Sequence, residues 1–201
     1  MGKYAFTQRG LLLVISAPSG GGKSAVLRRL IEQEPNLDYS VSATSRPPRT
    51  DEVDGKDYDF VSRERFEELA REDVFYEWAE VHGNLYGTRS DTIDKALEAG
   101  KDVTLDIDVQ GGLSVKFRSP DSVLVFLMPP AFEVLEQRLR GRGSDAEEDI
   151  RLRLENARRE MIYWRQYNYV VVNDDLEETV EAVRGILHAE RRRVSRMKMA
   201  Q

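Results

Sequence analysis

Leu11-Leu12-Leu13-Val14-Ile15-Ser16-Ala17-Pro18-Ser19-Gly20-Gly21-Gly22-Lys23-Ser24 carries an apolar run into a glycine loop that ends on a lysine and a hydroxyl. Ala25-Val26-Leu27-Arg28-Arg29-Leu30-Ile31, which follows, has the apolar spacing of a helix. Strand, glycine loop and helix in that order are the context in which a phosphate-binding P-loop has meaning. Glycines let the backbone curl so that its N–H groups converge on a phosphate chain. The first helical turn adds unpaired N–H donors and the positive end of the helix dipole. Ala17, Pro18, Ser19, Gly20, Gly21, Gly22, Lys23 and Ser24 are therefore expected to hold a nucleoside triphosphate. Lys23 reaches for the β- and γ-phosphates, and the Ser24 hydroxyl is a ligand for Mg²⁺. Ala17 stands where the motif has its first glycine, so the loop must enter with an ordinary backbone conformation.

The composition narrows what else the chain does. Its 201 residues are enough for one full core, and 40% hydrophobic with 33% charged residues describe a water-exposed globular protein. A net charge of −6 argues against sequence-independent nucleic-acid binding. The absence of cysteine excludes a disulfide framework and a thiolate metal site. No apolar run reaches membrane-spanning length, and Met1–Gly10 lacks the apolar core of a signal peptide, so a cytoplasmic protein without a membrane partner is expected.

Strand-like and helix-like stretches alternate without repeats, which predicts an α/β fold around a parallel sheet. Helices are expected over Lys23–Glu34, from a Ser62 cap to Glu72, over Asp91–Ala99 capped by Ser90, over Phe132–Arg140, over Asp145–Gln166 and over Leu176–Met197. The Asp145 helix opens on a capping box, Ser144-Asp145-Ala146-Glu147. Strands are expected at Tyr39–Ser45, Tyr58–Val61, Phe75–Val81, Leu85–Thr88, Asp102–Asp108 and Ser122–Met128, with a last buried strand at Tyr169–Val172. The Asp102 strand ends in carboxylates at the sheet edge where α/β proteins place ligands. The basic run Arg191-Arg192-Arg193 with Arg196 and Lys198 reads as a solvated helix end complementing the dipole.

A P-loop alone leaves GTPase, ATPase, motor and kinase open. Arg46 and Arg49 lie in a proline-stiffened loop whose guanidinium forks suit a phosphate, and Tyr58 and Tyr86 offer phenol donors. A second phosphate site beside the first is what a nucleoside monophosphate kinase needs. The pieces that follow one another along the chain then become specific. They are Ser16–Ser24, Ser42-x-x-x-Arg46-x-x-Arg49, Glu52-Val53-x-Gly55-x-x-Tyr58-x-Phe60-Val61 and Glu77-x-Ala79-x-Val81-x-Gly83-Asn84-x-Tyr86-Gly87-Thr88. Leu105-Asp106-Ile107-Asp108-x-Gln110-Gly111, Arg138-x-x-Gly141-Arg142-Gly143 and Val172-Asn173-Asp174-Asp175 complete the set. With them the chain resembles the guanylate kinase family from Gly10 to about Arg193, and the Ala17 variant is common in its bacterial members.

The resemblance implies a P-loop NTPase fold, a central parallel sheet flanked by helices, with two inserted pieces. The core is assigned to about 10–39, 91–130 and 167–198, a GMP-binding insert to about 40–90, and a lid to about 131–166. It implies transfer of the γ-phosphoryl of ATP to GMP or dGMP, with Mg²⁺ as cofactor and small molecules as the only partners; monomer and homo-oligomer stay open. The GMP site it implies comprises Ser42, Arg46, Arg49, Tyr58, Glu77, Tyr86, Thr88 and Asp108. Glu77 and Asp108 read the base there, because carboxylates accept from guanine N1–H and N2–H and repel adenine N1. Lys23, Arg46, Arg138, Arg142 and Arg153 carry catalysis, the last three as lid arginines, and Ser24 and Asp106 hold the metal. Two alternatives stand beside this reading: a guanylate-kinase-like protein-binding module, and a related kinase with another phosphorylated acceptor.

Overall fold

Five parallel strands in the order β10-β9-β2-β8-β3 make the main sheet: Tyr169–Val172, Val123–Met128, Leu12–Ser16, Asp102–Asp106 and Leu37–Tyr39. The computed structural model describes residues 6–50, 52–81, 83–141 and 147–199. Strand β2 is central and buried along its whole length, which is why Leu12–Ile15 is unbroken aliphatic. Its register with β8 sets Ile15 opposite Asp106, so the loop that follows β2 and the carboxylate that ends β8 emerge side by side.

Helices α1 (Lys23–Gln33) and α7 (Leu176–Arg191) cover one face, with Val26, Leu27, Leu30, Val180, Val183 and Leu187 packed on Leu13 and Ile15. Helices α3 (Ser90–Glu98) and α4 (Val109–Arg118) cover the other, where Ile93, Leu97 and Val115 meet Val14 and Leu105. Each fully buried aliphatic side chain contributes about 1.5–3 kcal/mol relative to exposure. A second sheet, ordered β5-β4-β7-β6, is built from Asp59–Phe60, Ala43–Thr44, Asn84–Arg89 and Phe75–Val81. Helix α2 (Arg63–Arg71) packs on it through Phe66 and Leu69, its first turn capped by the Ser62 hydroxyl, which accepts from Arg65 N–H. Helices α5 (Phe132–Arg140) and α6 (Glu147–Met161) pack on each other. No helix among the described residues is long and apolar enough to cross a membrane.

Several elements differ from expectation, each for a tertiary reason. Strand β8 stops at Asp106, short of the expected Asp108, which two residues on is the N-cap of α4. Gly111 and Gly112 lower the intrinsic helix propensity there. Gly112 is nonetheless required, since a Cβ on it would stand 2.8 Å from the Tyr167 hydroxyl and 3.1 Å from Ser16 Oγ. Ser90 does not cap α3; it is the first helical residue, and its hydroxyl donates to Val74 O at 2.9 Å. Helix α6 ends at Met161 and a 3₁₀ turn, Ile162–Gln166, continues the chain; the capping box before Glu147 lies outside the described residues.

Strand β10 is an edge, not a buried strand: Val171 lies under α7, while Val170 and Val172 turn to the uncovered face. Helix α7 stops at Arg191, because Met197–Met199 (β11) leaves it to pair antiparallel with Phe6–Gln8 (β1), giving the leading residues a structural partner. Arg191 is no solvated dipole partner either. Its guanidinium bridges the buried carboxylates of Glu34 (2.9 Å) and Asp102 (2.6 Å), and Arg193 and Arg196 both face buried Glu190.

Candidate active site

The loop after β2 closes on itself through Gly21 N–H donating to Pro18 O at 2.7 Å. Gly22, at φ 84°, is the N-cap of α1 and offers no side-chain cap, which leaves the first-turn donors of α1 for a ligand. A side chain at Gly22 is barred twice. Its backbone is left-handed, and a Cβ would lie 2.7 Å from Asn173 Nδ2. Ala17 is absent from the positive-φ residues, in keeping with an ordinary entry to the loop.

Asn173, whose place in the Val172–Asp175 motif implies no role by itself, clamps the loop. Its buried amide donates to Gly21 O at 2.6 Å and its Oδ1 accepts from Thr179 at 3.1 Å. Its backbone O accepts from Arg138 Nη2 at 3.0 Å. The other guanidinium nitrogen, Arg138 Nη1, is buried with no hydrogen-bond partner and lies 3.7 Å from the position of a Gly22 Cβ. A buried charged donor left unpaired beside the cradle is what a bound phosphate oxygen would satisfy.

Lys23 Nζ donates to Ile107 O at 2.7 Å and pairs with Asp106 Oδ1 at 2.8 Å, both side chains about one-fifth exposed (19% and 22%). Ser24 is exposed at the helix start. For Mg²⁺ the available protein donors are oxygens alone, Ser24 Oγ and the Asp106 carboxylate. No group of three or more His, Cys, Asp or Glu converges among the described residues. That small oxygen set fits a hard cation that keeps several waters and takes the rest from phosphates.

Asp106 also leads to the other half of the cleft. Two residues on, Asp108 Oδ1 accepts from Gly111 N–H at 2.8 Å, fixing the turn into α4. Helix α4 packs on β6, which carries Glu77. A β-bulge between Phe75 and Glu77 sets Glu77 directly opposite Thr88 on β7. It also lets neighbouring rings enter different cores, Phe75 in the small sheet and Tyr76 against the main one. The buried Thr88 hydroxyl donates to Glu77 Oε1 at 2.6 Å. Burial raises the Glu77 carboxyl above the ordinary carboxylate range and the Asp108 charge adds to it, against the lowering effect of Thr88. A partly buried carboxylate with a raised pKa is a strong acceptor awaiting donors.

Arg46 is held by Glu52 at 2.8 Å and by Pro47 O at 2.7 Å, with its guanidinium 5.6 Å from the Tyr58 ring centroid. Glu52 Oε2 also accepts from Arg49 N–H at 2.7 Å, so one carboxylate orders both arginines; the sequence reading gave it no role. Tyr58 and Tyr86 meet edge-on with ring centroids 6.0 Å apart. Burial raises the Tyr58 phenol, and the neighbouring Tyr86 adds to it while Arg46 opposes it. Ser42 sits just before β4, where its carbonyl accepts from Asp59 N–H at 3.0 Å. Arg153 lies on α6, partly buried; Arg142 lies outside the described residues.

The guanylate kinase family profile matches residues 9–190. A guanylate kinase of Caldanaerobacter subterraneus subsp. tengcongensis is 48% identical over 191 residues, 95% of this chain and 93% of that one. One of Syntrophotalea carbinolica is 48% identical over 191 residues, with 95% and 91% covered. The crystal structure of guanylate kinase from Anaplasma phagocytophilum superposes with a TM-score of 0.76 at 35% identity, covering 96% of this chain and 92% of that one.

Proposed function

The chain belongs to the guanylate kinase family, and on that premise we propose how its cleft moves the γ-phosphoryl of ATP to GMP. The activity is that of an ATP:GMP phosphotransferase, giving ADP and GDP. The observation that best supports the division of labour is the short turn Asp106–Asp108. At one end it is bonded to Lys23 of the phosphate loop, and at the other Asp108 holds Gly111 N–H, with the Gly111 Cβ position 3.4 Å from Glu77 Cδ. Phosphate donor and base reader thus share one rigid segment, and the acceptor's position follows from the donor's.

ATP enters with its phosphates over Gly20–Ser24, where the α1 N-terminus, Lys23 and the unpaired Arg138 Nη1 meet them. When bound with ATP, Mg²⁺ would supply positive charge to the phosphates, and Ser24 and Asp106 are the residues that would hold it, directly or through its waters. GMP lies with its base against Glu77, Thr88, Asp108 and Ser42 and its phosphate against Arg46, Arg49, Tyr58 and Tyr86. The GMP phosphate needs no general base, because a phosphate monoester has a second pKa of about 6 and its oxygen is already anionic at neutral pH. Two polyanions must be brought in line, so positioning and arginine charge do the catalysis.

Water is the competing acceptor, and residues 131–166 form the lid that excludes it, bringing Arg138, Arg142 and Arg153 to the phosphates. Residues 40–90 form the GMP-binding insert on a core of 10–39, 91–130 and 167–198. We read the enzyme as cytoplasmic. The test is an ADP-coupled assay with ATP and Mg²⁺, offering GMP, AMP, UMP and CMP in turn. Turnover with GMP alone, lost on chelation of Mg²⁺, is expected; equal turnover with AMP would refute the base-reading assignment.

A further inference from the structure

Glu160 on α6 makes a contact that the mechanism above does not use. Its Oε2 accepts from the backbone N–H of Ser19, inside the phosphate loop, at 2.9 Å. A backbone donor bound by a carboxylate is a charge-assisted hydrogen bond, about twice as strong as a neutral one. Two other features make this bond more than an incidental surface contact.

The first is how α6 is held. It packs mainly on α5 and on the 3₁₀ turn after it, and it buries only Ile150 and Ala157. A cleft of about 320 Å³ lined by Asp108, Gln110, Asn156, Arg159, Glu160 and Tyr163 separates it from the start of α4. With so little apolar anchoring towards the core, a polar bond has to set where the helix sits over the loop. The second is the spacing along α6. Glu160 lies next to the helix's last residue, Met161, and Arg153 lies seven residues earlier. Seven residues are two turns, so both side chains leave the same face, about 10 Å apart along the axis.

We propose that Glu160 is a positioning residue that pins the base of α6 to Ser19, making that bond the pivot about which the lid carries Arg153 to the transferring phosphoryl group. The loop donors used for the phosphates are those at the α1 N-terminus. The Ser19 N–H, which the motif assigns to the triphosphate, holds the lid instead. No bond forms or breaks at Glu160. The inference rests on the phosphotransferase reading for its kinetic consequence, while the bond itself is observable without turnover.

The experiment compares wild type with Glu160→Ala and Glu160→Gln, the latter keeping an acceptor oxygen of the same reach. Alanine is expected to lower kcat about tenfold or more, the scale of one hydrogen bond to a charged group. KM for ATP and for GMP stays within about twofold, as for a contact that matters in the transition state. Glutamine restores most of the loss. By NMR, exchange of the Ser19 amide is slow in wild type and in the glutamine variant and fast in the alanine variant. Several results would overturn the proposal. One is lowered KM for ATP with unchanged kcat in both variants, which marks Glu160 as an occupant that the triphosphate displaces. Another is a loss that tracks the fraction of folded protein in thermal melts, and a third is unchanged Ser19 exchange. Absent turnover in the wild type would refute the functional reading, and the exchange measurement would still decide the tether.

Discussion

Glu77→Gln separates recognition from stability at one atom. The Glu77 carboxylate is partly buried, accepts a hydrogen bond from the Thr88 hydroxyl at 2.6 Å, and feels the Asp108 charge. Burial, with Asp108 behind it, raises its pKa, so the folded protein holds the Glu77 proton more tightly than the unfolded chain does. The sign follows: this group is least costly to stability below the ordinary carboxylate pKa, and it becomes a cost as pH rises through the raised value. Glutamine removes that cost and keeps an oxygen for the Thr88 hydroxyl. The unliganded variant should therefore melt at or above the wild-type temperature at neutral pH. GMP reverses the ranking, since guanine brings two donors to the edge that Glu77 faces. Replacing a charged acceptor by an amide forfeits a hydrogen bond worth about 1.5–3 kcal/mol. The amide NH₂ also meets a guanine donor head-on. The expected loss in kcat/KM for GMP is about 10- to 150-fold, with AMP unchanged or improved. The assays are ADP-coupled kinetics with both acceptors and thermal melts with and without GMP. An unchanged GMP/AMP ratio would refute the base-reading role. A fall of several degrees in the unliganded melt would refute the claim that this carboxylate is held at a cost for the sake of its ligand.

The remaining expectations use the same assays. Lys23→Ala should lower kcat about 100- to 1000-fold, the scale of one lost transition-state donor, with a native circular dichroism spectrum. Activity near wild type would remove the phosphate-loop argument. Glu52→Ala, which frees Arg46 and the Arg49 backbone, and Arg49→Ala should each raise KM for GMP about tenfold with KM for ATP unmoved; an effect mainly on ATP would reverse the assignment of the two phosphate sites. Arg191→Met strands the buried Asp102 and part of Glu34 and should cost about 3–5 kcal/mol in urea unfolding, with kcat per folded molecule unchanged. Glu34 gives this network a pH signature. Burial alone would raise its pKa, but Arg184 and Arg191 outweigh that and lower it. Its stabilisation is thus present above the unfolded carboxylate pKa and should be lost as acid titration passes through the depressed value; a melting temperature flat across that range would refute it.

Local chemistry was enough to read the phosphate loop, because its function depends on neighbours in sequence. A strand, curling glycines, Lys23 and a helix start lie in contiguous residues. The same holds for the Ser62 cap of α2 and for strand β6, each written into a few adjacent side chains. Family resemblance extended the reading to Glu77, Asp108 and the lid arginines, as residue types whose partners the chain order did not reveal. Glu52 and Asn173 were visible in the motifs, but their roles are contacts. Glu52 acts by holding both loop arginines, and Asn173 by bonding Gly21 across the sheet.

What failed locally failed where distant pairing outweighs propensity. The α7 pattern runs on past Arg191, yet β11 leaves it for β1, and Arg191 and Arg196 turn inward to buried carboxylates while Arg192 stays exposed on the helix-end carbonyl of His188. Two glycines hide α4 because the reason for Gly112 is the Tyr167 hydroxyl, far along the chain. The bulge before Glu77 appears in no periodicity, since one extra residue shows only against the partner strand. The sequence by itself determined the phosphate loop, the alternation that makes an α/β sheet, and the identity of the chemical groups. Tertiary structure alone decided which of those groups share a cleft. That choice is made by sheet register, Ile15 against Asp106 and Glu77 against Thr88, and register is a relation between strands that neither strand encodes alone.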